Sequence, residues 1–379
     1  MSSPARVRAD ACPGVFATHD AADGPLARVR LPGGVVTAER LRVLAACAED
    51  LGDGDVHLTS RGNVQLRGVT RPGLAKRLTE AGLLPSPSHE RVRNVLASPL
   101  SGLHGGIADV RGLAQALDAA LCARPVLASL PGRFLFAFDD GRGDVAGEGA
   151  DVCWRAVTPS LGTILLAGVD TGWRVPRESA VDAMLTVATA FVETRGAVWR
   201  IAELTEPMAL LPGGPRERPV DRPVRVDPAV GRFGSAIGVA PRFGRLTAAQ
   251  LRVVADAVER AAPTPVPATP VLITPWRSVV LPGVTGLEAE GLSLDPAVLE
   301  LTACIGRPGC AKSLADVRAD AAPLVPGGVH AHFAGCARRC GRPSGAHLDV
   351  VAEGGGYRVD GRWTPVSRLA EALARKETS

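Results

Sequence analysis

The apolar pattern of the chain occurs twice. Thr37-Ala38-Glu39-Arg40-Leu41-Arg42-Val43-Leu44-Ala45 places apolar side chains at helical spacing behind a threonine suited to cap a helix, and Thr247-Ala248-Ala249-Gln250-Leu251-Arg252-Val253-Val254-Ala255 does the same 210 positions later. Around the first copy, Ala27 to Leu31 reads as a strand, two short strands flank Ser60 to Asn63, and a further helix falls near Leu74 to Leu83. Leu58-Thr59 and Val64-Gln65-Leu66-Arg67-Gly68-Val69 find an echo in Ile273-Thr274 and Val279-Val280-Leu281-Pro282-Gly283-Val284, offset by 215, and the Pro-rich insertion Ala262 to Pro270 accounts for the difference. The order predicts a split βαβ unit in each copy. Two such units are expected to pair about a pseudo-twofold axis and to build one site between them, while a fragment ending before Leu211 is expected to fold alone.

With 379 residues the chain has room for two or more cores, and 46% hydrophobic with 22% charged residues excludes a disordered protein. A net charge of +4 is too small to mark a nucleic-acid binder, and the expected partners include neither nucleic acid nor membrane. The cations are nearly all arginines, since lysine occurs only as Lys76, Lys312 and Lys376; GC-rich codon usage accounts for such a bias, and recognition of a polyanionic ligand is the functional alternative. No apolar run of bilayer length and no leader pattern is read, so a cytoplasmic location is expected.

In a reducing compartment the cysteine spacing points to metal chemistry before disulfides. Cys304 and Cys310 are separated by five residues, and Cys336 and Cys340 by three, with Gly306, Gly309, Gly335 and Gly341 beside them. Four thiolates suit a tetrahedral zinc or a 4Fe-4S cube, and the five-residue gap is wider than zinc pairs favour. Cys12, Cys47, Cys122 and Cys153 are scattered and read as core or loop residues.

The cysteine pattern, the repeated halves, the strand motif Thr59-Ser60-Arg61-Gly62-Asn63-Val64-Gln65 and the segment Arg91-Val92-Arg93-Asn94-Val95-Leu96-Ala97-Ser98-Pro99 together resemble the sirohaem-dependent nitrite and sulfite reductase superfamily. The resemblance runs from about Ala21 to the C-terminus. It implies an α+β chain with a duplicated nitrite/sulfite reductase-like fold: a ferredoxin-like half at 20–78, an α/β domain at 79–210, a linker at 211–234, a second ferredoxin-like half at 235–290 and a cluster domain at 291–379. It also implies that Cys340 is the ligand nearest a tetrapyrrole and that Arg61 and Arg93 face substrate.

The sequence departs from the reductases at Leu130-Pro131-Gly132-Arg133-Phe134-Leu135, where they carry two lysines that protonate and hold the oxyanion. A guanidinium is a poor proton donor and a leucine is none. Cys12-Pro13-Gly14 and Asp23-Gly24-Pro25-Leu26-Ala27-Arg28-Val29 resemble instead the precorrin-3B synthase branch of aerobic cobalamin synthesis. That resemblance implies a monooxygenase in which molecular oxygen hydroxylates C20 of precorrin-3A and the ring A acetate closes a γ-lactone. Arg61, Arg93 and Arg133, with Asn63, Gln65 and Asn94, are the expected holders of the carboxylate arms. A non-haem iron is implied beside the cluster. Its ligands are not assigned, although His330 and His332 can share one strand face. No G-x-G-x-x-G follows a strand, so electrons are expected from a separate NAD(P)H-dependent reductase or a ferredoxin. The alternatives are a nitrite or sulfite reductase containing sirohaem and, more weakly, a non-catalytic iron–sulfur electron-transfer protein.

Overall fold

A computed structural model of the chain describes residues 10, 12–220, 228–261, 269–325, 328–343 and 345–377. The first half runs β1 (His19–Ala21), β2 (Gly24–Val29), β3 (Val35–Val36), α1 (Ala38–Leu51), β4 (Asp55–Leu58), β5 (Val64–Leu66), α2 (Leu74–Glu80), β6 (Val95–Ala97), α3 (Leu113–Cys122), β7 (Phe136–Asp139), β8 (Val152–Ala156), β9 (Leu161–Leu166), β10 (Val169–Pro176) and α4 (Ala180–Thr194). The second half runs β11 (Gly231–Phe233), β12 (Ala236–Pro241), β13 (Arg245–Thr247), α5 (Ala248–Ala261), β14 (Val271–Ile273), β15 (Val279–Pro282), β16 (Leu292–Ser293), β17 (Leu301–Ala303), α6 (Val317–Ala321), β18 (Ala331–Ala334), β19 (Leu348–Glu353), β20 (Gly356–Val359), β21 (Arg362–Pro365) and α7 (Leu369–Glu377).

Both threonines cap their helices. Thr37 Oγ1 accepts from Arg40 N at 3.3 Å; Thr247 Oγ1 accepts from Gln250 N at 3.1 Å while Gln250 Oε1 accepts from Thr247 N at 2.9 Å, which completes a capping box. The helices they start, α1 and α5, pack on each other, and Leu41, Leu44, Leu251 and Val254 belong to one shared core.

The two ferredoxin-like units exchange strands. One sheet has the order β1-β2-β5-β4-β13 and the other β11-β12-β15-β14-β3, so each takes its last strand from the other copy. Leu246 lies opposite Val56 and Val36 opposite Val271, the same pairing seen from the two sides of the repeat. The exchange weighs against the expectation that residues before Leu211 fold alone, since in that fragment β3 has no sheet to join and β4 loses a neighbour.

The other two sheets form a second duplication, which the sequence periodicity did not reveal. In β10-β9-β8-β7-β6 the strands β6, β7 and β8 are parallel and the rest antiparallel; β17-β18-β19-β20-β21 repeats this with β17, β18 and β19 parallel. The helices α3 and α4 bury Leu117, Leu121, Met184 and Phe191 against the first of them. The stretch 211–234 read as linker contains β11, which pairs with β12, so the second unit starts before residue 235. Residues 221–227 of that stretch, and 262–268 of the Pro-rich insertion, lie outside the described residues.

Candidate functional site

Cys304 and Cys336 follow β17 and β18, at the carboxyl ends of adjacent parallel strands. The loops leaving those ends carry Cys310 and Cys340 and are tied together, since Leu314 N donates to Gly335 O at 2.8 Å. Gly335 N donates to Cys304 Sγ at 3.2 Å, a contact that stabilises a ligating thiolate. Position 335 demands glycine, because a Cβ there would stand 1.8 Å from Ser313 Oγ. Four thiolates on one zinc, with Zn–S near 2.3 Å, would lie about 3.8 Å apart. No three of these thiols gather within 4.8 Å, so they do not form a zinc-sized set.

The first ferredoxin-like unit grips the cysteine loops. Arg67 pairs with both oxygens of Asp23 at 2.8 and 2.9 Å and donates to Gly309 O at 3.0 Å. Arg318 donates to Cys304 O at 3.2 Å and stands 3.4 Å from His57 Nδ1; burial, and next the nearby Arg245, push its pKa down to about 10.

The first α/β sheet ends differently at the equivalent place. There Asp140 N donates to Ser98 Oγ at 3.0 Å, the counterpart of Gly335 N on Cys304 Sγ. Asp139, Asp140 and Asp144 crowd this end, but their oxygens accept from Gly141 N, Gly143 N, Val145 N, Ala146 N, Ser98 Oγ and the Arg142 guanidinium. One copy of the repeat thus presents thiols and the other a carboxylate knot satisfied by its own loop.

A group of guanidiniums collects near the turn from Thr59 to Asn63. Among the described residues Arg61 has no side-chain hydrogen-bond partner, and burial, then the neighbouring Arg200, lower its pKa to about 10. Arg30 is 1% exposed and donates only to neutral acceptors: Asn94 Oδ1, Pro13 O, Arg28 O and Arg91 O. Burial, then Arg28, push its pKa down to about 9. Arg28 donates to the Gln65 amide oxygen at 2.5 and 3.1 Å, and Arg133 stacks on the Trp199 ring at 5.6 Å. The nearby carboxylates already have partners: Asp10 accepts from Cys12 N and Gly132 N, Glu90 from Val15 N and Phe16 N, and Asp151 from Leu135 N, Ile201 N and the Arg200 guanidinium, the one ion pair among them. Guanidiniums taken from water with so little opposite charge favour an anionic ligand.

The equivalent turn of the second copy runs from Thr274 to Ser278. Thr274 N donates to Ser278 O at 3.0 Å as Thr59 N donates to Asn63 O at 2.9 Å. Its left-handed position is Arg277 (φ 63°), where the first copy has Gly62 (φ 61°). That conformation costs a residue with a Cβ about 1–2 kcal/mol. The Arg277 guanidinium reaches Gly341 O, next to Cys340, at 3.4 Å, and Trp276 donates to Glu148 at 3.0 Å.

Several residues expected at substrate have other surroundings. Arg93 turns inward, where both Asp118 oxygens accept from it at 2.7 Å and Leu83 O at 3.2 Å. Asn94 is fully buried and donates to Arg91 O, Gly132 O and Phe134 O, while Asn63 donates to Asn94 and accepts from Leu31 N. These three hold the frame on which Arg30 and Arg61 stand. Leu135 is buried in a small apolar cluster. The sequence reading missed Arg28, Arg30, Arg200 and Arg277; aligning the two turns would have revealed Arg277 as an arginine in a glycine position.

The nitrite/sulfite reductase ferredoxin-like half domain matches residues 19–81. A precorrin-3B synthase from Sinorhizobium sp. is 27% identical over 98% of this chain and 88% of its own. A ferredoxin-dependent sulfite reductase of Mycolicibacterium paratuberculosis is 28% identical over 79% of this chain and 62% of its own. The structure of the NirA protein of Mycobacterium tuberculosis covers 92% of this chain and 79% of its own with a TM-score of 0.69 and 23% identity, a likeness of fold. With this half domain and these relatives, the chain has the nitrite/sulfite reductase-like fold and is similar to that superfamily along nearly its whole length.

Proposed function

We propose that the chain is a precorrin-3B synthase, which binds precorrin-3A near the Arg61 turn and the cysteine loops and uses molecular oxygen to hydroxylate C20, the ring A acetate closing the γ-lactone. The observation that carries this reading is the excess of desolvated guanidinium at Arg28, Arg30 and Arg61. A tetrapyrrole edged with acetate and propionate groups supplies the missing charge through bidentate bonds. The similarity to the Sinorhizobium protein along nearly the whole chain supports the same substrate.

Arg61 and Arg133 bind carboxylate arms, Gln65 orients Arg28, and Arg93, Asn63 and Asn94 keep the frame rigid. Binding geometry, once fixed, holds the reacting carbon in place. Neither reductase lysine has a counterpart, since Arg133 lies against Trp199 and Leu135 is buried. Cys304, Cys310, Cys336 and Cys340 hold a 4Fe-4S cluster, which when bound passes single electrons; a separate NAD(P)H-dependent reductase or ferredoxin is the donor. A non-haem iron supplies the oxygen chemistry. No helix among the described residues is long and apolar enough to cross a membrane. The cytoplasm is the proposed location.

A sirohaem-dependent nitrite or sulfite reductase is the second reading, favoured by the sulfite reductase similarity over 79% of the chain. Anaerobic purification followed by an optical spectrum, iron and sulfide analysis and porphyrin extraction separates the two. A cluster band without sirohaem, and conversion of precorrin-3A with oxygen and a reductant to a product heavier by one oxygen atom, is the expected result. Stoichiometric sirohaem with sulfite- or nitrite-dependent turnover would overturn it.

A further inference from the structure

Three guanidiniums from separate parts of the fold end on carbonyl groups of the cysteine loops. Arg67, just after β5, donates to Gly309 O at 3.0 Å; Arg318, in α6, to Cys304 O at 3.2 Å; and Arg277, in the Thr274–Ser278 turn, to Gly341 O at 3.4 Å. They differ in what balances their charge. Arg67 is paired with both oxygens of Asp23, and the neighbouring cations are matched in the same way, His57 with Asp53 at 3.3 Å and Arg245 with Asp55 at 2.5 Å. Among the described residues no carboxylate forms an ion pair with Arg318 or Arg277. The charges that act on Arg318 include Arg245, Arg67 and Arg277, all cations, and the thiol of Cys304. Arg277 has Glu148 as its opposite charge, a carboxylate already held by the Trp276 indole.

Arg277 also bears a strain that its counterpart avoids. Its backbone is left-handed where the first copy has Gly62, and glycines leave room for its side chain: a Cβ at Gly244 would stand 2.6 Å from Arg277 Cδ, and one at Gly341 3.4 Å from its Nη2. A strained residue persists where the surroundings over-determine it and points to a use. The turn that reaches the cysteine loops is the one that carries the arginine.

A cube held by four thiolates is anionic and becomes more so on taking up an electron. Its potential follows the charge around it, and a cation away from bulk water and without a counter-ion favours the more negative state. Resting on the reading that Cys304, Cys310, Cys336 and Cys340 hold such a cluster, we propose that Arg277 and Arg318 set its reduction potential. Their uncompensated charges favour the state that has received the electron, whereas Arg67, neutralised by Asp23, ties the loops together. One electron enters from the separate donor; no bond forms or breaks and no proton moves.

The test reads the cluster and not the reaction, so it holds whichever substrate the chain takes. Full-length protein is purified without air, its iron and sulfide are measured, and it is titrated with dithionite while the electron paramagnetic resonance of the reduced cluster is followed. Arg277→Gly, which installs the residue used by the first copy, and Arg318→Gln should each weaken the preference for the reduced state about 10-fold, a fall of about 59 mV for one electron, at unchanged sulfide content. Arg277→Lys should keep most of the wild-type potential. An unchanged potential in either neutral variant would overturn the proposal, and so would an equal fall in Arg277→Lys, which would trace the effect to shape and not to charge. If one neutral variant loses its sulfide, the other decides; loss from both would overturn the proposal and leave the two arginines as ties of the loops. A wild-type chain without sulfide would overturn the cluster reading itself, and this proposal with it.

Discussion

Arg42 on α1 donates to Glu259 on α5 at 2.5 and 2.7 Å, and 210 positions along each chain segment Arg252 on α5 donates to Glu49 on α1. One contact is made twice, across the axis that relates the two copies. These pairs are exposed and add little stability. What holds the copies together is the shared core and the exchanged strands, in which each fully buried Leu or Val contributes about 1.5–3 kcal/mol.

A fragment ending before Leu211 should therefore fail to fold as a monomer. Far-UV circular dichroism and gel filtration are expected to find it unfolded or aggregated, and coexpression with the remainder of the chain should restore a soluble complex. A cooperative thermal transition in the isolated fragment would contradict the strand exchange.

The contact between Gly335 and Ser313 predicts a steric test of the cysteine loops. Gly335→Ala would bring a methyl group within 1.8 Å of Ser313 Oγ and 2.7 Å of Ser313 Cβ. Most acid-labile sulfide should be lost, as in Cys340→Ala, and the double variant with Ser313→Gly should recover part of it. Sulfide retained in full by Gly335→Ala would mean that the two loops are free to part.

Much of this was legible in the sequence because it is local. Thr37 and Thr247 announce helix starts, and the cysteine pairs mark their loops by spacing. The exchange of β3 and β13 was not legible: Val35–Val36 is two residues long, and its partner Val271–Leu272 lies more than half the chain away. Arg30 escaped notice because its burial depends on Asn94 and on the Pro13 and Arg91 carbonyls, which arrive from elsewhere in the fold. His332 was paired with His330 by strand alternation, whereas the fold sets it beside Thr302 and Asp349 through strands that the chain reaches later or earlier.

Arg61 and Arg93 should separate binding from stability. Arg61→Leu removes a guanidinium with no side-chain hydrogen-bond partner among the described residues and is expected to weaken precorrin-3A binding roughly 10- to 100-fold, the worth of a charge-assisted bond. Its urea midpoint should not fall. Arg93→Leu strands the Asp118 carboxylate, and loss of one partner of such a pair costs about 3–5 kcal/mol. Equilibrium urea unfolding checks it, and Asp118→Asn in the same chain should recover part of the loss.

Asp144 predicts how stability changes with pH. It is 2% exposed and accepts from Ser98 Oγ at 2.6 Å, and burial, then the neighbouring Asp139, push its pKa up to about 8 from an ordinary 3.8. The folded chain holds this proton more tightly than the unfolded one. Between about 4 and 8 the native state therefore binds more protons at this group, and its contribution to stability falls as pH rises through that window. Asp144→Asn keeps the size and the acceptor for Ser98 without a charge. Urea midpoints measured from pH 5 to pH 9 should decline for the wild-type protein relative to the variant, with the variant the more stable of the two above pH 8. Parallel curves would mean that Asp144 is ionised in the fold, with Arg142, 3.7 Å away, as its counter-ion.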